Sequence, residues 1–330
     1  MAIDVVTLGE ILIDMFPAEV GRKLAEVTAF HPKPGGAPAN VAVAVRRLGA
    51  ASAFVGKVGD DAFGDHLIDV LRRQGVETRG LRVARAARTT MAFIAMPDPH
   101  TAEFVFYRNP GADLLLRAEE LDRELLAETA ALHIGSLSLV DEPARSATYE
   151  AVRLAREGGA MVSFDVNYRP SLWPGPEEAL AQMRAMIPRV DLLKVNETEL
   201  SLLVGGAEEA KTATGELLQQ GPALVVLTCG RKGSYARFAA GEVSAAAFQV
   251  DTVDATGCGD AFIAALLTQL VSAPGWRGRL TTDHLSSLLR YANAVAALTA
   301  QTQGVIPALP TAAQVERFLD TYSQGKESAP

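Results

Sequence analysis

Cysteine is nearly absent: the 330 residues contain two, Cys229 and Cys258. That excludes a disulfide framework and makes a reducing cytoplasm the expected compartment. No segment reaches the ~18 consecutive apolar residues of a membrane span, and "MAIDVVTLGEILIDMF" lacks the basic start and long apolar run of a secretory leader. There is no block of Lys and Arg, and the formal net charge is −8. Nucleic acid and anionic membranes are therefore disfavoured as main partners. An anionic small molecule stays open, because a site needs local rather than global positive charge. The chain also lacks G-x-x-x-x-G-K-[ST], which excludes a P-loop, and its first strand runs into "LGEILID" rather than the G-x-G-x-x-G of a dinucleotide-binding oxidoreductase.

What is present is an apolar, regularly punctuated chain. With 48% hydrophobic and 21% charged residues it can bury a large core. The length fits two domains of ~150 residues or one longer α/β unit. Short β-like runs alternate with helical ones: "DVVTLG", "APANVAVAVRRLGA" stopped by Gly49, "SAFVGKVG", then "DAFGDHLIDVLRRQG" capped by Asp60 or Asp61. The alternation resumes with "ALHIGS" and a helix from about Glu142 to Glu157. It continues through "MVSFDVN", a helix before Pro188, "DLLKVN" and "ETELSLLVG", and closes with "ALVVLTCG". Near-continuous apolar strands separated by helices predict a doubly wound, mostly parallel sheet with helices on both faces. Ligands in such sheets sit beyond the carboxyl ends of the strands.

Two stretches break the rhythm. Residues 88–108 read as two strands joined by a Pro-Asp-Pro turn, and residues 11–34 lack a helix signature. Either they are surface hairpins, or they pair into a small β-sheet lid on a body formed by residues 1–10, 35–87 and 109–330. The tail "SQGKESAP" reads as disordered.

The segment "VDTVDATGCGDAFIAALLTQL", residues 250–270, places Asp260 at the mouth of an apolar helix behind Gly257, Cys258 and Gly259. The first amides of a helix have no intrahelical partner, and glycines let an anion approach them. The carboxylate is either a helix cap or a proton acceptor. In the second case the amides would stabilise a transferring phosphoryl group while Asp260 took a proton from the attacking hydroxyl.

"DTVDATGCGDAF" resembles the C-terminal signature of the ribokinase-like (PfkB) sugar kinases, usually D-T-x-G-A-G-D, and "GGAPANVAVAVRRLG" resembles their N-terminal signature. The resemblance continues in order over essentially the whole chain through "GEILIDM", "VGDDAFG", "FYRNPGADLLL", "DVNYRPSLW", "NETE", "TCGRKGS" and "GVIPALP", and these side motifs are most similar to fructokinases. It implies a ribokinase-like fold with a β-lid, Asp260 as catalytic base, and the amides of Gly257, Cys258 and Gly259 as anion hole. Cysteine at 258 replaces the usual alanine but keeps the amide donor.

The same resemblance assigns sugar binding to Asp14, Gly35, Gly36 and Asn40. Arg108 and Arg169 are candidates to touch sugar or phosphate, or are surface ion pairs instead. Asp165, Asn196 and Glu199 fall in the Mg²⁺ and phosphate region, where water-mediated contacts suit an ion that keeps its hydration. Thr228, Gly230, Gly233 and Asn293 fall at the ATP end. Asp254 and Thr256, with carbonyls near Thr299 to Gly304, resemble a monovalent-cation site, which implies activation by K⁺.

The implied reaction is transfer of the ATP γ-phosphate to a sugar hydroxyl, with fructose giving fructose 6-phosphate. A 2-keto-3-deoxygluconate kinase is the alternative substrate reading, in which an arginine would hold the acid. A silent sugar- or nucleotide-binding protein is the non-enzyme alternative. Exposed strand edges on the lid suggest a homodimer.

Overall fold

The computed structural model describes residues 3–98, 101–206, 209–272 and 274–327. The apolar run of β1 (Val5–Leu8) is buried at every position, so this strand must lie inside a covered sheet. The chain then leaves the body for β2 (Leu12–Pro17) and β3 (Phe30–Gly35) and re-enters through helix α1 (Ala37–Arg47). Next come β4 (Ser52–Gly59), α2 (Ala62–Arg73) and a short β5 (Leu81–Ala84). A second excursion makes β6 (Met91–Asp98) and β7 (Thr101–Tyr107).

The remainder returns to strand–helix alternation. After α3 (Arg123–Glu128), strand β8 (Ala131–Gly135) leads to α4 (Ala144–Glu157), and β9 (Met161–Asp165) to α5 (Pro176–Met186). Strand β10 (Leu192–Asn196) is followed by α6 (Glu197–Val204) and α7 (Ala210–Gln219). Then come β11 (Leu224–Thr228), β12 (Ser234–Phe238) and β13 (Gly241–Ala245). Helices α8 (Cys258–Val271), α9 (Thr282–Thr299), α10 (Val305–Ala308) and α11 (Ala312–Glu327) close the chain.

The large sheet runs β13-β12-β11-β10-β9-β8-β1-β4-β5, parallel from β5 through β11. Its two outer strands β12 and β13 are antiparallel. Successive strand residues point to opposite faces. Val5 and Leu192 thus join a core with α1, α2, α8 and α9, while Val6 and Leu193 join a core with α3 to α7. The strand order reverses beside β1, which neighbours both β4 and β8. The crevice outside that reversal is where an open α/β sheet holds ligands.

The two excursions pair with each other, in the order β3-β2-β6-β7. Phe93 makes edge-on contacts with Phe30 and Tyr107, both at 5.1 Å between ring centroids, which knits the small sheet across its strands. The turn residue Pro99 lies outside the described residues. Two expectations need correction. "ALVVLTCG" does not end the sheet, because β12 and β13 extend it as a hairpin; "SYARF" carries the period-2 signal, buried at every second residue. The tail continues as helix to Glu327, and residues 328–330 lie outside the described set.

Asp61, rather than Asp60, caps α2. One oxygen accepts from the amides of Phe63 and Gly64 and from the hydroxyl of Thr89, and the other accepts from the Thr89 amide. One carboxylate thus anchors both a helix and the chain entering β6. Asp61→Ala is expected to cost about 2 kcal/mol, since it removes a cap and leaves Thr89 without its acceptors. Urea denaturation would show this as a lower midpoint with an unchanged slope.

Candidate active site

The carboxyl ends of β1, β9, β10 and β11 meet at one edge of the large sheet, and a cleft of about 840 Å³ opens there. The first turn of α8 forms its floor, and Phe104 and Phe106 of β7 reach it from the small sheet. Both aromatics lie on the same side of β7 because they are two residues apart.

Gly257 is the N-cap of α8, with φ 79° in the left-handed region. A Cβ there would fall 2.2 Å from Cγ1 of Val305, so α10 closes over this turn only if residue 257 is glycine. Among the first-turn amides, that of Cys258 donates to the carbonyl of Ala255 at 3.3 Å. Those of Gly259 and Asp260 have no acceptor within the helix. The Cys258 thiol is pushed up to about 12 by burial and the nearby Asp254 and Asp260 carboxylates, so it is no nucleophile near neutrality.

Asp260 is 8% exposed. Asn40, at the end of the first turn of α1, donates its Nδ2 to Asp260 Oδ2 at 2.8 Å. Burial raises the Asp260 carboxyl to about 6; Asp165 adds to the rise, while Asn40, Lys194 and Arg169 oppose it. Above that value it is a desolvated carboxylate with one oxygen held in place, the state a general base requires. Asn40, predicted for sugar binding, lines the cleft but spends its amide protons on Asp260, at least in part.

Asp14 projects from β2 into the same cleft. Desolvation, then the charges of Asp260 and Glu10, raise it to about 7 against the pull of Arg169. Gly35 makes room for it: a Cβ at 35 would lie 1.9 Å from Asp14 Oδ2. Gly36 caps α1 without a side chain, and the missing acceptor comes from Glu10, whose Oε1 takes the Ala37 amide at 3.0 Å. The other Glu10 oxygen is buried without a partner, and burial lifts this carboxyl to about 7 despite Arg108.

Other predicted residues fall differently. Arg169 lines the cleft, but Arg108 does not: its guanidinium is buried behind the wall and paired with Asp113. Asp165 also lies beneath the surface, ion-paired at 2.9 Å with Lys194, which does line the cleft. Burial alone would lower the Lys194 ammonium, yet Asp165 and Glu199 hold it above its ordinary value. Asn196 and Glu199 form a reciprocal cap on α6, and the second Glu199 oxygen accepts from the Tyr168 amide. No group of three His, Cys, Asp or Glu side chains suited to a metal ion occurs among the described residues. A divalent ion here would depend on ligand phosphates and water.

Thr228, Gly230 and Gly233 line the far end of the cleft after β11. Asn293 lines it too, but its amide donates to the carbonyls of Ala245 and Ala246, tying α9 to the end of β13. Asp254 accepts from the amides of Thr256 and Gly304, closing two loops around itself. Thr299 is fully buried with its hydroxyl on the Val295 carbonyl, so only its backbone remains for a cation. Lys194, Glu10, Asn167 and the two phenylalanines were not picked out from the sequence. A lysine inside the apolar run "DLLKVN" and a glutamate directly after a buried strand were the available signals.

The model of the pfkB family carbohydrate kinases matches residues 2–312. A probable fructokinase-2 of Arabidopsis thaliana is 43% identical over 317 residues, covering 96% of this chain and 95% of that protein. Fructokinase with bound ATP from Xylella fastidiosa superposes with a TM-score of 0.89 at 33% identity, covering 97% of this chain and 99% of that one. A fructokinase double mutant from Vibrio cholerae O395, in its fructose, ADP and potassium ion bound form, gives 0.85 at 30% identity over 96% and 99%.

The raised carboxyls have a stability consequence. An unfolded Asp260 loses its proton near the ordinary 3.8, whereas the folded residue keeps it to about 6. The unfolded chain therefore binds fewer protons between those values, and stability falls as pH rises through the window. Asp260→Asn removes that penalty. Calorimetry should find the variant more stable than wild type at pH 8, by on the order of 2 kcal/mol, with the difference vanishing toward pH 4.

Proposed function

This chain belongs to the pfkB family of carbohydrate kinases, and on that premise we propose that it phosphorylates fructose at the 6-hydroxyl with ATP, yielding fructose 6-phosphate and ADP. Similarity to fructokinases over nearly the whole chain supports fructose as acceptor. The observation that carries the chemistry is Asp260, a buried carboxylate fixed by Asn40 beside the first-turn amides of α8.

Asp260 takes the proton of the sugar hydroxyl as its oxygen bonds to the γ-phosphorus, and the bond to the bridging oxygen of ADP breaks. The Gly257–Gly259 turn receives the charge that develops on the transferred group. Lys194, with its ammonium beside Gly259, adds positive charge there. Asn196 and Glu199, at the start of α6 in the cleft, would hold Mg²⁺ through water, and the ion would supply charge neutralisation on the phosphates. Asp14 and Gly36 hold the sugar, and residues 11–34 and 88–108 act as a lid whose Phe104 and Phe106 exclude water. Exclusion matters because water at the acceptor position would hydrolyse ATP.

Asp254 and Thr256, with backbone carbonyls between Thr299 and Gly304, would hold K⁺, which would add positive charge near the start of α8. The lid edges associate two copies; Val105 and Tyr107 on β7 are 45% and 63% exposed, an apolar edge that a second copy would cover. No described helix is long and apolar enough to cross a membrane, and the site of action we propose is the cytoplasm.

ADP release would be measured with Mg²⁺ and K⁺ over fructose, 2-keto-3-deoxygluconate, ribose, glucose and adenosine. Fructose should lead by at least about tenfold in kcat/KM, a margin worth about 1.4 kcal/mol. Its kcat/KM should rise with pH through about 6 and level off as Asp260 ionises. Asp260→Asn should lower kcat roughly 10²–10⁴-fold while ATP binding persists; unaffected turnover would remove Asp260 from the role of base. Sedimentation at micromolar concentration should give a dimer, and a monomer would refute the lid association.

A further inference from the structure

Arg108 directly follows β7, the strand that carries Phe104 and Phe106 into the cleft. A guanidinium at the end of a substrate-facing strand is well suited to clamp a ligand carboxylate through two parallel hydrogen bonds. Here two of the three nitrogens of that fork are already occupied, and Nη1 is buried without a partner. Nε and Nη2 both donate to Asp113 Oδ2, and Nη2 also donates to the Leu137 carbonyl at 2.9 Å. The second Asp113 oxygen takes the Thr90 hydroxyl, and the side chains of Arg108 and Asp113 are 4% and 1% exposed. This is a locked internal pair, not a surface bridge that opens for a ligand.

In front of it, Glu10 and Leu137 form the cleft wall. Glu10 spends one oxygen on the Ala37 amide and keeps the other buried and unpartnered. A sugar hydroxyl binds either form of Glu10, whereas a ligand carboxylate beside it requires uptake of a proton. The charged groups lining this end are the carboxyls of Glu10, Asp14 and Asp260 against the guanidinium of Arg169 and the ammonium of Lys194, which is already paired with Asp165.

We propose that Asp113, by occupying Arg108, and Glu10, by setting a carboxyl with one unpartnered oxygen in the cleft wall, make this site select neutral polyhydroxy sugars over sugars bearing a carboxylate. The proposal rests on the sugar-kinase reading above and deepens it. Asp113 is a positioning residue that acts through Arg108, and selectivity arises as much from repelling the acid as from attracting the neutral sugar.

The test is calorimetric binding of fructose, ribose, glucose and 2-keto-3-deoxygluconate, with a non-hydrolysable ATP analogue present, to wild type, Asp113→Asn and Glu10→Gln. Asn at 113 keeps an acceptor for Arg108 and presents an amide to Thr90. Gln at 10 keeps a carbonyl for the Ala37 amide. Wild type should prefer a neutral sugar over the acid by at least tenfold. Each variant should narrow that preference by about tenfold or more, chiefly by tightening the acidic sugar.

Parallel weakening for both sugar classes, or an unchanged preference in cooperatively melting variants, would mark a merely structural pair and overturn the inference. So would wild type binding the acid as well as any neutral sugar, or binding no neutral sugar. If Asp113→Asn fails to melt cooperatively, Glu10→Gln decides alone. Turnover of fructose by wild type is read separately: its absence beside an intact binding preference would sink the kinase assignment and leave the selectivity standing.

Discussion

One hydrogen bond, 2.8 Å from Asn40 Nδ2 to Asp260 Oδ2, fastens together the starts of two helices whose residues stand 220 apart in the chain. Much of the site depends on it. Helix α8 is buried on nearly all sides, so its first turn cannot shift without disturbing α1, α9 and α10. Gly257 lets Val305 pack against that turn, and Glu10 satisfies the amide of Ala37 that Gly36 has no side chain to satisfy. The carboxylate is held where helix geometry supplies amides and where burial makes it a stronger base than a surface aspartate.

Holding it there costs stability. Three carboxyls, Glu10, Asp14 and Asp260, crowd one cleft with raised values, and burial is the leading cause for each. Beneath them lies a second polar layer. Lys194 pairs with Asp165, and neutral His133, pushed down to about 4 by burial, shares a hydrogen bond with Ser163 at 3.0 Å. An apolar layer of the same shape would be easier to fold. The Asp165–Lys194 pair brings an ammonium to the cleft floor while keeping its counter-charge out of contact with ligand, which suits a site that handles phosphate.

The legible part of the fold was the part with strong local signal. Buried strands such as Val5–Leu8 and Leu192–Asn196 announced themselves as apolar runs, and α1 and α8 were marked by the glycines before them. The excursions stood out because neither held a helix. Less visible were β12 and β13, short strands at one end of the sheet whose alternation is easily lost beside alanine-rich stretches. At the site, Asp260 and Asn40 were readable because they sit inside two long signatures, and Asp14 because it is a charge within the apolar side motif "GEILIDM".

Direction, not identity, was what the chain order withheld. Arg108 and Arg169 look alike in sequence, each following a strand end, yet one is locked onto Asp113 and the other faces the cleft. Lys194 and Asp165 lie on neighbouring strands, 29 residues apart, and become a pair only through the parallel register of β9 and β10. Sequence alone determined most of the strands and helices, the doubly wound layering and the turn chemistry before α8, because these follow from local periodicity and backbone freedom. Tertiary structure decided which carboxyls are buried together, which cations are free to meet a ligand and which are already spent, because pairing and desolvation are set by packing between segments far apart in the chain.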